Sequence, residues 1–195
     1  MASPPASYAR ERLLTAASDL FSQRGIKSVG IDSIIARSGV ARQTLYRHFT
    51  SKQELVLAFL ERRDETWTKG MVQAGFERRA NLPADRLLAI FDVFDEWFRR
   101  PDFEGCSFIN VLLEHPDPSD PIHRACVSYL SGIRAMVEDL ARQAGIADAE
   151  GFARQWHILM KGSIVSAQEG DREAARRAKR VGRLLLDEQR PAPGK

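Results

Sequence analysis

Cysteine is scarce in this chain: Cys106 and Cys126 are its only two among 195 residues, and no CxxC spacing occurs. That usage excludes a disulfide framework and a cysteine-rich zinc module. With no signal-like apolar segment near Met1, it predicts a reducing, cytoplasmic location. Apolar runs of membrane-spanning length are missing too, so no membrane partner is expected. No HExxH, no phosphate-loop glycine pattern and no GxSxG is present. Zinc-hydrolase, nucleotide-cleaving and nucleophilic chemistry therefore have nothing to rest on; we expect no catalytic residues, no cofactor and no enzyme. Strand-like alternation is also wanting throughout, which leaves an all-α fold.

What is present is a basic end. Residues 1–60 carry 8 Lys and Arg against 4 Asp and Glu, whereas residues 61–195 carry 21 against 22. The positive excess thus sits in the first third, as expected of a molecule that brings one end to phosphate. Within that third, Gly30 to Lys52 reads GIDSIIARSGVARQTLYRHFTSK, two short helices about a tight turn. Ile31, Ile34 and Ile35 form the apolar stripe of the first. Ser38-Gly39 stops it, and Gly39 can take the positive φ that a sharp turn demands. The second restarts near Ala41, where Val40, Leu45 and Phe49 face inward. Arg42, Gln43, Thr44, Tyr46, Arg47 and His48 are left for its outer face, with almost nothing aliphatic among them.

Those side chains suit a major groove. Arginine can fork onto guanine O6 and N7, and glutamine onto adenine N6 and N7. Thr44 and Tyr46 suit phosphate oxygens. So does Lys52, at the start of the next helix, where Ser51 and Glu54 form a capping-box pattern. Ahead of the motif, Leu13, Leu14, Ala17, Leu20 and Phe21 mark an amphipathic helix from about Ser7 to Gln23, ended by Arg24-Gly25. Ile26 and Val29 help close the same small core. The leading MASPPAS reads as a frayed lead-in.

GVARQTLYRHFTSKQEL resembles the recognition-helix signature of the TetR family of transcriptional regulators, and RGIKSVGIDSIIARS its upstream half. The likeness covers roughly the first 60 residues. It implies a three-helix DNA-binding domain over 1–52 (motif about 30–49), and a larger helical domain over 53–190 for ligand binding and dimerisation, with a tail at 191–195. It also implies a homodimer on palindromic double-stranded operator DNA, and a repressor that releases it when a small-molecule effector, unidentified here, binds. By the same resemblance Gly30 and Ile31 join Arg42, Gln43, Thr44, Tyr46, Arg47, His48 and Lys52 as DNA-binding residues.

Past Lys52, Leu55, Phe59, Leu60, Trp67, Met71 and Val72 predict one helix running toward Phe76, a connector between the two domains. Pro83 opens another, whose Leu87, Leu88, Ile90, Phe91, Phe94, Trp97 and Phe98 make an aromatic face. A short helix over Ser107 to Glu114 is followed by a proline-rich turn. For an apolar, aromatic effector the lining residues expected are Trp67, Met71, Phe94, Trp97, Phe108, Leu112 and His115; a solidly packed core would read the same. Three further helices span about Ile122 to Ala144, Asp148 to Glu169 and Arg172 to Asp187. The dimer contact is expected on the last two, through Trp156, Met160, Ser163, Ile164, Ala167, Leu184 and Leu185. Two alternatives stay open: a metal sensor using Glu114, His115, Asp120 and His123, and a constitutive DNA binder with no effector.

Overall fold

Ten α-helices and one π-helical stretch account for most of residues 6–189, which a computed structural model of the chain describes, and no strand occurs among them. The lead-in and the tail expected at the two ends lie outside the described residues, except that the first helix already begins at Ala6. Two compact units form, each from two stretches of chain: the chain up to Asp64 with Cys106–Ser128, and Glu65–Gly105 with the chain from Tyr129 onward.

In the first unit, α1 (Ala6–Arg24) lies against α2 (Ile31–Ser38), α3 (Arg42–His48) and α4 (Lys52–Arg63). Leu13, Leu14, Ala17, Leu20 and Phe21 are all buried, as their spacing predicts, and Phe21 meets Phe59 of α4 edge-on at 5.6 Å. The second stretch supplies α7 (Ser107–Glu114), with Phe108 and Val111 buried, and the start of α8 (Pro121–Gln143). Both cysteines are buried free thiols here. Burial, with Cys106 close by, pushes the Cys126 thiol up to about 12, so it stays protonated and unreactive.

In the second unit, α6 (Pro83–Phe98) is central, packed by α10 (Ala174–Glu188), α9 (Ala149–Gln168) and α5 (Ala74–Arg79). Pro83 occupies its first turn, and Leu87, Ile90, Phe91, Phe94, Trp97 and Phe98 are buried. Lys179 of α10 donates to both carboxylate oxygens of Asp92 at 2.6 Å, tying α10 to α6. Asp148 caps α9 by accepting from the Gly151 N–H at 2.9 Å.

The helix beginning at Lys52 runs on to Arg79, but not with uniform winding: Asp64–Gln73 is a π-helix. Sequence periodicity expected Trp67, Met71 and Val72 on the inward face. Trp67 and Val72 are buried, but Thr68 is buried with them and Met71 is only half-covered. The i to i+5 bonding of a π turn takes in more residues per turn than an α-helix, which swings Val72 round toward the face of Trp67.

A second difference concerns α9. Trp156, Met160, Ser163 and Ile164, expected at a dimer contact, are between 0 and 5% exposed in the single chain. Trp156 stacks on Phe152 at 5.2 Å and meets Phe91 at 5.3 Å. These side chains have already spent their apolar area inside the chain's own core. Of the others named for that contact, Ala167 and Leu185 are half-covered and Leu184 is exposed.

His157, also on α9, is 4% exposed, and burial with Lys161 and Arg134 nearby pushes its imidazole down to about 3 from 6.5. Unfolded, this ring takes a proton below about pH 6.5; folded, it refuses one until near pH 3. The unfolded chain therefore binds the proton first, and stability falls as pH drops through that window. We expect His157→Leu to flatten the loss of stability between pH 6.5 and 5 in urea titrations, above the range where carboxylates protonate; an acid limb as steep as the parent's would contradict this role.

Candidate nucleic-acid interface

Seven residues make α3, too few for a helix to persist on its own. Its shape is imposed from beneath. Leu45 is 0% exposed, and Val40, Phe49 and Ile34 are buried around it on the face toward α1; each such side chain contributes about 1.5–3 kcal/mol by leaving water. Ile35 and Ile31 of the expected stripe are half-covered only.

The turn between α2 and α3 depends on Gly39, whose φ of 63° is left-handed. Its N–H closes on the Ile35 carbonyl at 2.9 Å. Arg12 reaches across from α1 to the Ser38 carbonyl, and a Cβ on Gly39 would stand 2.8 Å from that guanidinium. The Ser38 hydroxyl accepts from the Val40 N–H at 3.3 Å. Side chain, carbonyl and turn are thus bound into one corner.

On the open side of α3, Arg42, Gln43, Tyr46 and Arg47 are exposed, with Thr44 and His48 half-covered. Arg42 pairs with Asp32 of α2, both well exposed. Such a surface pair holds the guanidinium loosely, at roughly 0–1 kcal/mol. The His48 Nε2 is buried without a hydrogen-bond partner among the described residues. Gly30 precedes α2 in extended geometry and offers no side chain as a cap, so Ile31 begins the helix beside an uncapped end. Behind α3, the Arg10 guanidinium lies 5.1 Å from the Phe49 ring centroid.

Ser51 caps α4 by accepting from the Glu54 N–H at 3.1 Å, as the sequence predicts. The return arm lands one residue early: Glu54 accepts from the N–H and hydroxyl of Thr50, at 2.7 and 2.9 Å, which hold its carboxyl below the usual range. Lys52 is turned inward, its Nζ donating to the Ile26 carbonyl at 2.6 Å. Partial burial lowers its ammonium's pKa, and the Glu114 carboxylate opposes that.

Residues named for an effector fall in both units. In the second, Trp67, Phe94 and Trp97 are mutual neighbours, with ring centroids 5.0–6.2 Å apart, and Met71 is half-covered. In the first, Phe108 is buried, Leu112 is half-covered, and His115 bonds through Nδ1 to Asp120 at 2.8 Å. Two polar groups in the second unit's interior were not picked out as such from the sequence because nothing local marks them: Thr68 Oγ1 and Trp156 Nε1 are buried and, among the described residues, without hydrogen-bond partners.

The donors suggested for a metal are otherwise engaged. Glu114 accepts from two backbone N–H groups, His123 Nδ1 meets the His115 carbonyl at 2.7 Å, and Asp120 takes His115 and the Ile122 N–H. Among the described residues no three His, Cys, Asp or Glu side chains gather as a metal site, and no helix is long and apolar enough to cross a membrane.

Comparison with known proteins gives consistent results. Residues 13–59 match the family described as bacterial regulatory proteins, tetR family, and residues 83–181 match the tetracyclin repressor-like C-terminal domain. The HTH-type transcriptional activator FasR of Mycolicibacterium smegmatis is 44% identical over 164 residues, 78% of this chain and 74% of that protein. The transcriptional regulator AcuR of Cereibacter sphaeroides is 26% identical over 173 residues, 85% of this chain and 78% of its own length. A TetR-family transcriptional regulator from Streptomyces coelicolor superposes with a TM-score of 0.87 at 33% identity, covering 94% of this chain and 96% of that one.

The corner at Gly39 yields a stability prediction. Gly39→Ala forces an L side chain into the left-handed region, at about 1–2 kcal/mol, and displaces Arg12 from Ser38. The midpoint of urea unfolding should fall accordingly; an unchanged midpoint would show that the corner relaxes freely.

Proposed function

This chain belongs to the TetR family of bacterial regulatory proteins, helix-turn-helix transcription regulators rather than enzymes, and on that premise we propose a homodimer that reads palindromic operator DNA and answers to a small apolar effector. The observation that carries the reading is α3: a helix with Arg42, Gln43, Tyr46 and Arg47 outward, anchored on α1 through Leu45. Residues 1–52 form the reading domain in this proposal, and 53–190 carry the effector and dimer roles. Arg42 and Gln43 read base edges; Thr44, Tyr46, Arg47 and His48 flank them; Gly30, Ile31 and Lys52 approach phosphate. For Arg42 this means leaving Asp32, and for Lys52 leaving the Ile26 carbonyl. Two such helices about a two-fold axis would engage half-sites roughly 34 Å, one duplex turn, apart. A regulator bound to DNA works in the cytoplasm, in keeping with the described residues, among which no helix is long and apolar enough to cross a membrane.

Dimer formation is supported by what α9 and α10 leave uncovered. Ile158 (71% exposed), Gly162 and Val165 recur at i, i+4 and i+7 along α9, and Val181 and Leu184 (69%) stand out on α10 beside Leu185. An apolar stripe of this kind needs a cover, and a second copy of the same helices supplies one.

An effector is supported by the interior of the second unit. Buried polar groups without partners are rare and costly, and Thr68 Oγ1 and Trp156 Nε1 lie there in surroundings rich in aromatic rings. An aromatic molecule with an oxygen acceptor would satisfy them among Trp67, Met71, Phe94 and Trp97 of that unit. A 100-fold preference for the DNA-free arrangement would supply about 2.7 kcal/mol per site. Repression follows where the operator overlaps a promoter. Activation is the second reading, favoured by the name of the 44% identical relative.

Selection from a random duplex pool should return an inverted repeat. On it, Arg42→Ala or Gln43→Ala should cost about 1–3 kcal/mol and relax preference at one base pair; equal losses on selected and random duplexes would exclude base readout. Ile158→Glu with Val165→Glu should convert dimers to monomers in sedimentation. A dimer of unchanged affinity would place the interface elsewhere.

A further inference from the structure

Glu114, the last residue of α7, lies 88 positions from Ile26 in sequence, yet its carboxylate closes on the turn that follows α1. Oε1 accepts from the Ile26 N–H at 3.0 Å and Oε2 from the Lys27 N–H at 2.7 Å. Gly25, at φ 78°, makes room: a Cβ there would stand 2.7 Å from Oε1. On the other side of the same residue, the Ile26 carbonyl accepts from Lys52 Nζ at 2.6 Å. Ile26 is therefore gripped at its N–H by an anion and at its C=O by a cation, and the two charges attract one another.

The carboxylate is held on a firm corner. The carbonyl of His115, its neighbour, meets His123 Nδ1 at 2.7 Å, and the His115 ring is fixed by Asp120, which also takes the Ile122 N–H at 2.8 Å. These groups all lie in one compact unit with the reading helices. A mere brace for the turn would need only Glu114 and the two amides. What the brace does not account for is the direction of Lys52, which is half-buried against the turn instead of extended into water, where four methylenes and an ammonium gain the most freedom.

We propose that Glu114 acts as a latch that withholds Lys52 from DNA: by fixing the Ile26 carbonyl beside its own charge, it makes a docking place for the ammonium that a phosphate must outcompete. The proposal rests on the reading of Lys52 as a phosphate ligand. DNA binding then draws Lys52 away from Ile26, and the turn loosens from Glu114. The latch sets affinity on every sequence alike, since phosphate contacts carry no base information.

Operator-selected and random-sequence duplexes, titrated with full-length protein across a salt series, test this. Glu114→Gln keeps one acceptor but loses the charge and the second. It should bind both duplexes about tenfold more tightly, the change produced by net loss of one charged hydrogen bond on opening. Its salt slope should match the parent's, because the complex has the same phosphate contacts. Lys52→Ala should lower the slope by about 0.9, and Glu114→Gln placed on Lys52→Ala should bring no gain. No tightening by Glu114→Gln, or a gain that survives without Lys52, overturns the latch. An unchanged slope in Lys52→Ala instead overturns the phosphate role on which it depends. If Glu114→Gln does not fold, amide exchange in the parent decides: Ile26 and Lys27 should be protected in the free protein and lose protection on either duplex, and retained protection overturns the proposal.

Discussion

A helix of seven residues has no claim to exist by itself, and the reading surface of this protein is built on one. Nucleation is unfavourable, and seven residues return too few hydrogen bonds to repay it. What makes α3 real is the apolar contact of Leu45 and its neighbours with α1, and what aims it is the left-handed turn at Gly39 with Arg12 closing over Ser38. The outward residues are then free of structural duty. None of Arg42, Gln43, Tyr46 or Arg47 is needed to hold the helix, which is why their chemistry can be given over to another molecule.

Legibility in the sequence followed the range of the interactions. The bounds of α7 and the left-handed stop at Gly39 depend on contacts within one or two turns and could be read directly, as could the inward face of α1. The π winding could not: Trp67, Met71 and Val72 fit an α-helical stripe as well as a π-helical one, until Val72 is seen to be buried and Met71 half-covered. Trp156, Met160, Ser163 and Ile164 show a related ambiguity. An apolar stripe says that a face is buried and not by what, and these side chains are covered by the chain's own helices. The grip of Glu114 on Ile26 and Lys27 spans so many residues that no local pattern could announce it, and from the sequence the same carboxylate entered only as a candidate metal ligand.

Charge placement shows a similar economy. Lysine and arginine in the second unit are largely answered within it: Lys179 by Asp92, Arg99 by Asp95 and Glu173, Arg177 by Asp171. On α3 Arg42 pairs with Asp32, and that pair lies in water where it restrains little. Cations of the second unit such as these are thus answered by nearby carboxylates, while Arg42 and Arg47 stand exposed on α3.

The reading helices and α7 share one compact unit although Glu65–Gly105 of the other unit separates them in the chain. Modularity in this fold therefore does not follow the order of the sequence. A fragment cut after Asp64 would carry α1 to α4 intact and still expose the Ile26 and Lys27 amides that Glu114 covers. Grafting the first sixty residues onto a relative's body would pair this turn with a foreign α7. Reader and corner form a two-piece cassette, and a hybrid protein should inherit its DNA affinity from both parents.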